Sequence, residues 1–357
     1  MYKLISFEQE EHYIRDFLSI PKKLYTNREL IQNEKEEREL LLGQHVLSKY
    51  FNLYKLLVYK GNEPVSRCII TIYPDDLSSY IGFFESIEDT ECTRLLFEKA
   101  KDISRFNNCH KITGPVDVSF WIRYRLKTNN FHHKPYVSEP YNKDYYIDLF
   151  LDAGYHIMET YISNYYRKPP IHFNDQKSKE RYRNFTSKGY TILSPSMKEY
   201  DSAIRTIYKL LMELYGKFPV FKQIQEEDFV QHFISYKYIL DFSIVKIAYY
   251  NEEPVGFMIG MPDYGNMLYG NIGLKEYLMV LLKKIRCSNY VLLYMGVKPK
   301  HRGLGNAMVQ TMLNIVKRRR ASGIGSLIKE GKVTQGYVSD KIESRNTYVL
   351  LEYNLEN

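Results

Sequence analysis

The sequence predicts an α/β protein of two similar units, each a central mixed β-sheet flanked by helices, and three observations predict it. The 357 residues exceed the usual size of one domain, and a hydrophobic fraction of 44% is enough for two cores. Two β-hairpins carry nearly the same turn, Asn62-Glu63-Pro64-Val65 and Glu252-Glu253-Pro254-Val255. After each hairpin a third β-rich run leads directly into a helix-period segment.

In chain order, a short strand near 2–7 is followed by helical stretches between about 8 and 48 and an apolar strand from Phe51 to Tyr59. Lys60 to Pro64 is turn chemistry, and Val65 to Tyr73 reads as the returning strand. Tyr80 to Ile87 is the third strand, Thr90 to Phe106 the helix, and Lys111 to Thr113 extends toward the breaker Gly114-Pro115. The second half repeats the order. Tyr190 to Leu193 is a strand, Lys198 to Tyr215 and Glu226 to Tyr238 are helical, and Phe242 to Tyr250 pairs with Val255 to Met261. Tyr290 to Val297 then precedes a helix over Gly303 to Arg320. Arg167-Lys168-Pro169-Pro170 and the polar stretch 174–188 have the composition of a linker. The expected division is a first domain over 1–170, a linker over 171–188 and a second domain over 189–357.

Composition excludes several classes of function. The four cysteines, Cys68, Cys92, Cys109 and Cys287, form no recurring spacing, so neither a disulfide framework nor a zinc site is expected. His132 and His133 have no third ligand at a recognisable spacing. The N-terminus lacks a signal-type apolar stretch and no apolar run is long enough to span a bilayer, so a cytoplasmic location without membrane insertion is expected. The formal charge of +8 is compatible with a polyanionic small molecule. The dense run Lys317-Arg318-Arg319-Arg320 falls where a helix ends and reads as a solvated, dipole-complementing terminus, so nucleic-acid binding is not expected. The 34 tyrosines have no functional reading.

The sharpest local signal is Tyr294-Met295-Gly296-Val297 followed by Lys298-Pro299-Lys300-His301 and Arg302-Gly303-Leu304-Gly305-Asn306-Ala307. It is a strand, a short basic loop with two glycines, then an apolar-periodic helix. Amides at a helix start have no intrahelical partner, the dipole adds partial positive charge, and glycines let the backbone approach an anion. Lys298, Lys300, His301 and Arg302 add to that potential. No Lys-Ser or Lys-Thr follows the second glycine, which excludes a Walker A loop. A dinucleotide fingerprint fails for want of a third small residue three positions after Gly305. The plain alternative is an ordinary tight turn.

Arg302-x-x-Gly305-x-Ala307, after a strand ending in Gly296-Val297-x-Pro299, closely resembles the pyrophosphate motif of the GNAT acyltransferase superfamily. The fold that this resemblance implies is two tandem GNAT-like domains. It also implies that Arg302, Gly303, Leu304, Gly305, Asn306 and Ala307 hold the coenzyme A pyrophosphate while Met295, Gly296 and Val297 pair with the pantetheine arm. The stretch Ile342 to Tyr353 looks like the family's second signature, an asparagine followed seven residues later by a tyrosine. The resemblance then gives Asn346 a contact with the coenzyme arm and puts Tyr353, on a helix, near the thiol as general acid. Glu213, Glu252 and Glu276 are candidate bases, with none preferred. The implied activity is acyl transfer, expected to be acetyl, from acetyl-CoA or another acyl-CoA to a small-molecule or peptide amine, without a metal or a cysteine nucleophile. The alternative is a non-catalytic GNAT-fold module that still binds acyl-CoA.

The N-terminal half resembles a degenerate copy, because Ser86 to Glu91 carries no glycine and three acids at its helix start. Asp117 and Ser119, beside Trp121, read either as an acceptor pocket or as a plain turn. One departure stands out. The family fold continues for two strands beyond the tyrosine helix, whereas this sequence ends at Asn357. The expectation is a C-terminal sheet that is truncated or is completed by another segment or chain.

Overall fold

The computed structural model describes residues 1–355 apart from 75, 171, 271 and 272. β1 (Tyr2–Phe7), α1 (Glu11–Leu24) and α2 (Glu34–Leu41) precede a meander of β2 (Asn52–Lys60), β3 (Glu63–Ile72) and β4 (Ser78–Ser86). Then come α3 (Thr90–Phe106), β5 (Lys111–Gly114), the short strands β6 (Val116–Asp117), β7 (Arg123–Tyr124) and β8 (Leu126–Lys127), α4 (Tyr146–Asp152) and the long β9 (His156–Tyr166). Next are α5 (Gln176–Ser187), β10 (Thr191–Leu193), α6 (Tyr200–Tyr215), α7 (Glu226–Phe233), α8 (Tyr236–Ile239), β11 (Val245–Tyr250) and β12 (Glu253–Pro262). The chain closes with α9 (Leu274–Ile285), β13 (Asn289–Val297), α10 (Leu304–Arg318), β14 (Ser322–Lys329) and β15 (Ile342–Asn354).

These elements sort into two units, and each unit takes a strand from the other half of the sequence. The first comprises residues 1–160, 265–270 and 347–355; the second comprises 161–264 and 273–346. In the first, β1 to β5 lie in chain order and the 347–354 part of β15 runs antiparallel to β5, Leu351 facing Gly114 and Asn354 facing Lys111. In the second, β10 to β14 lie in chain order and the 161–166 part of β9 runs antiparallel to β14, Gly323 facing Tyr166. The second sheet is therefore completed by a segment from the middle of the chain rather than truncated.

Local chemistry accounts for the repeat. In both hairpins the register shifts one residue past the turn, so that Tyr59 faces Pro64 and Tyr249 faces Pro254. A proline lacks the N–H that a regular ladder needs, and a bulge is where a sheet tolerates it. Asp89 caps α3 by accepting from Cys92 N–H at 3.1 Å, as its place before the apolar-periodic run predicts. The core of the first unit joins Leu56, Ile70, Phe84, Leu96, Phe97 and Leu351. That of the second joins Val255, Met258, Leu304, Ala307, Met308 and Ile315. All four cysteines are free and buried.

Four elements differ from the sequence reading. The stretch read as a linker forms α5, whose Tyr182 and Phe185 pack on the second core; with so few apolar residues its period is faint. α9 and β14 have no counterpart in the sequence reading. Residues 342–354 are a strand, not the helix expected around Tyr353. Tyr348 to Leu351 are buried on both faces, giving the unbroken apolar run that periodicity does not distinguish from a helix. Within the first unit Tyr348 donates to the carboxylate of Glu139 at 2.5 Å, and Glu139 pairs with Lys127 of β8 at 3.0 Å, both wholly buried.

Leu351→Ala removes a side chain with no exposed surface and is expected to cost about 2–5 kcal/mol. Hydrogen exchange should accelerate at Ile112 and Thr113 of β5 before it does in β13. Acceleration confined to β12 and β13 would contradict the assignment of this strand to the first unit.

Candidate functional site

In the second unit β13 is paired antiparallel to β12 along its length, with Leu293 extra where Ile259 faces Tyr294 and Gly260 faces Leu292. On its other side β13 pairs in parallel with β14 only from Asn289–Ser322 to Leu292–Gly325. The strands then part. β14 continues against β9, and β13 is half-exposed from Leu292 to Val297. Lys298 N–H donates to Val255 O at 2.9 Å, which fixes the side to which backbone groups point. By alternation Gly296 faces β12, while Met295 and Val297 turn their N–H and C=O groups to the open side. Tyr215, at the end of α6, donates its hydroxyl to Met295 O at 3.1 Å.

The open edge runs into the glycine loop. After a single 3-10 turn over Pro299–His301, Gly303 adopts φ 99°, a left-handed conformation that favours glycine, and α10 begins at Leu304. Its first turn contains no acid, and its N-cap supplies no capping side chain. Leu304, Ala307 and Met308 are fully buried and hold the helix start in place. A Cβ on Gly305 would lie 2.7 Å from the Tyr337 hydroxyl and 3.7 Å from Met295 Sδ; one on Gly303 would lie 3.7 Å from an Arg181 guanidinium nitrogen.

The four basic loop residues do not contribute alike. Lys298 pairs with Glu213 at 3.0 Å. His301 hydrogen-bonds the Tyr190 hydroxyl at 2.7 Å, and its ring lies beside those of Tyr190 and Tyr250. Burial, then the neighbouring Lys298 and Lys300, push its pKa below the ordinary imidazole value. This shift runs against the expectation that it adds positive charge. Lys300 and Arg302 are exposed.

No family model and no curated protein matches this sequence. Solved structures do. A tandem GNAT protein from the clavulanic acid biosynthesis pathway matches with TM-score 0.56 at 10% identity, over 100% of this chain and 99% of its own. A GCN5-related N-acetyltransferase from Sphaerobacter thermophilus matches with TM-score 0.51 at 12% identity, over 100% of this chain and 96% of its own. One from Anabaena variabilis matches with TM-score 0.51 at 8% identity, over 99% of this chain and 73% of its own. The chain has the tandem GNAT fold.

The first GNAT unit shows the same opening, and fills it. Its β4 and β5 pair in parallel only over Ser78–Tyr80 and Lys111–Thr113, and β4 carries a bulge past Gly82. The space is taken by β6: a Cβ on Gly82 would lie 1.9 Å from Val116 O, and Asp117 accepts the Phe83 N–H at 2.6 Å. Asp117 is also held by Arg123 Nε at 2.6 Å, and the Ser119 hydroxyl accepts the Trp121 N–H. Asp117, Ser119 and Trp121 are all buried within this unit.

The second signature is not assembled as the resemblance implied. Asn346 is buried and donates to the Tyr165 hydroxyl at 2.9 Å. Tyr353 sits in the first unit, its ring 5.5 Å from that of Tyr155 and 4.2 Å from Lys101 Nζ. Side chains seven residues apart share a face on a helix and take opposite faces on a strand, so β15 separates what a helix would have brought together. Of the candidate bases, Glu213 is paired with Lys298, Glu252 lies in the β11–β12 turn, and Glu276 caps α9. The basic run is partly engaged too, Arg319 with Asp241 and Lys317 with the Phe173 carbonyl. The sequence reading missed Arg181, Tyr215 and Tyr337, which local patterns do not connect with the loop.

In NMR titration His301, assigned by comparison with His301→Gln, should show a midpoint below 6.5. The unfolded chain then takes up this proton first as pH falls, so the stability linked to His301 is complete above about 6.5 and lost below it. A midpoint at or above 6.5 would contradict this desolvation of the half-buried ring.

Proposed function

We propose that this protein is an acyl-CoA-dependent N-acyltransferase, expected to use acetyl-CoA, whose coenzyme site is in the second unit. The single observation that carries the reading is the parting of β13 from β14, whose open edge ends at an uncapped helix start built on Gly303 and Gly305. The donor set fits the coenzyme. The α10 amides from Gly303 to Ala307 face the pyrophosphate, with Arg302 and Arg181 as cations beside it. Tyr337 places a phenol hydroxyl at the same helix turn. Met295 and Val297 offer backbone groups to the amides of the pantetheine arm, as a neighbouring strand would.

Acyl-CoA supplies the thioester that an amine attacks; the C–S bond breaks, the amine gives up a proton and the coenzyme leaves as a thiol. What this chain contributes is placement: it holds the donor against a fixed strand so that attack becomes effectively unimolecular. The acceptor is a small-molecule or peptide amine. A second reading, a GNAT-fold module that binds acyl-CoA without turnover, is favoured by one observation, the engagement of Tyr353 in the first unit's core. Release of free thiol from acetyl-CoA across a panel of amines separates the two.

Gly305→Asp displaces the Tyr337 hydroxyl at the end of its side chain, 2.7 Å from the new Cβ, and sets a carboxylate into the anion position, while an acid at a helix start is locally favourable. Coenzyme A affinity should fall at least tenfold, about 1.4 kcal/mol, with the melting temperature of the ligand-free protein little changed. Calorimetric titration of both proteins checks this, and undiminished affinity would make the loop an ordinary turn. Tyr337→Phe keeps the ring and removes one donor to a charged group, so affinity for coenzyme A should fall roughly tenfold. Affinity for pantetheine, which lacks the pyrophosphate, should be unchanged; an equal loss for both would place the effect on the loop's structure instead.

A further inference from the structure

α9, in the second unit, is turned with its apolar stripe outward. Leu274, Tyr277, Leu278, Leu282 and Ile285 recur at the spacing of one helix face, and Leu274, Leu282 and Ile285 are 77%, 56% and 79% exposed. Among its twelve residues only Val280 is buried. Glu276 caps the helix through Gly273 N–H, and Lys284 donates to the Tyr238 carbonyl at 2.8 Å, so the orientation is held by specific contacts rather than by a core. The adjoining Tyr238 is itself 51% exposed. Contiguous exposed apolar surface of this kind marks a binding face.

Charge identifies what covers it. Lys275 and Arg286 lie exposed at the edge of the stripe and Lys237 sits over the Tyr238 ring, against Glu276 on the helix and Asp241 near the engaged Lys284. A second copy docking the same face on itself would bring these cations together, which costs rather than gains. A single helix standing proud with an apolar ridge also suits a flat interface better than a groove. We propose that α9 seats the protein on an anionic lipid surface, its leucine stripe sunk at the headgroup boundary and its lysines and arginine against lipid phosphates. No helix among the described residues is long and apolar enough to cross a membrane, and twelve residues span about 18 Å, so α9 lies on the bilayer rather than through it.

The test is co-sedimentation of the full chain with vesicles of phosphatidylglycerol and phosphatidylcholine, and with phosphatidylcholine alone, at physiological salt. Binding is expected on the anionic vesicles and at least tenfold weaker on the neutral ones. Leu278→Glu with Leu282→Glu, both at exposed positions, should weaken anionic binding at least tenfold with an unchanged melting curve. Lys275→Glu with Arg286→Glu should weaken it as well. The proposal is overturned if the parent ignores anionic vesicles, or if the leucine variant binds like the parent, which would leave only general adsorption of a basic protein. It is also overturned if the parent sediments as a dimer that the leucine variant dissociates, since the stripe would then be covered by a second copy.

Discussion

A parallel strand pair satisfies backbone groups only for as long as it lasts, and between β13 and β14 it lasts four residues. Beyond Leu292 and Gly325 the amides and carbonyls of β13 on that side must find other partners or meet solvent, because an unpaired backbone group buried away from water costs as much as a lost hydrogen bond. The extra residue at Leu293 turns the strand outward at the same point. An extended ligand bearing amides is the natural partner for such an edge, and the helix that follows offers further donors, the amides of its first turn, to an anion. Strand edge and helix start are joined by six residues, Lys298 to Gly303, so one break in pairing generates both halves of the site.

The first unit meets the same constraint by internal means. There the parallel pairing of β4 with β5 is shorter still, and Asp117, carried back on β6, accepts the N–H of Phe83 just past the break. The helix start is treated in the same way: Asp89 caps α3, whereas Gly303 leaves α10 uncapped. The first unit thus meets one backbone geometry with its own carboxylates, whereas the second leaves the start of α10 without a capping side chain and meets Met295 O with the Tyr215 hydroxyl. Opposite fates of one fold are decided by a handful of residues.

These differences were unevenly legible in the sequence. The hairpins, β4, α3, β13 and α10 follow from period, turn chemistry and caps that lie within a few residues of each other. The acidic start of α3 and the glycines before α10 were readable for the same reason. Arg181 was not, because the helix that carries it has only Tyr182 and Phe185 to mark a buried side. Tyr337 was not, because it lies on an irregular loop between β14 and β15 and reaches Gly305 only through the fold. α9 escaped because its apolar stripe sits between turns and next to strands, where an outward-facing helix leaves no pattern different from an inward-facing one.

Tyr353 shows a subtler limit. The seven-residue interval from Asn346 is real, but an interval becomes geometry only once the element is known, and Tyr348 to Leu351 form a run that a buried strand and a buried helix share. What decides for the strand lies far away in sequence: β5 offers an edge at Lys111 to Gly114, and Glu139 and Lys127 wait as a buried pair for the hydroxyl of Tyr348. Without this segment β5 would keep an unpaired edge and the buried Glu139 carboxylate would lose one of its donors, a costly defect in a core. The end of the chain is therefore claimed by the first unit's unmet hydrogen bonds. β9 supplies the corresponding edge pairing for β14 in the second, so the apparent truncation of the C-terminal half is the consequence of an exchange of strands that no local pattern records.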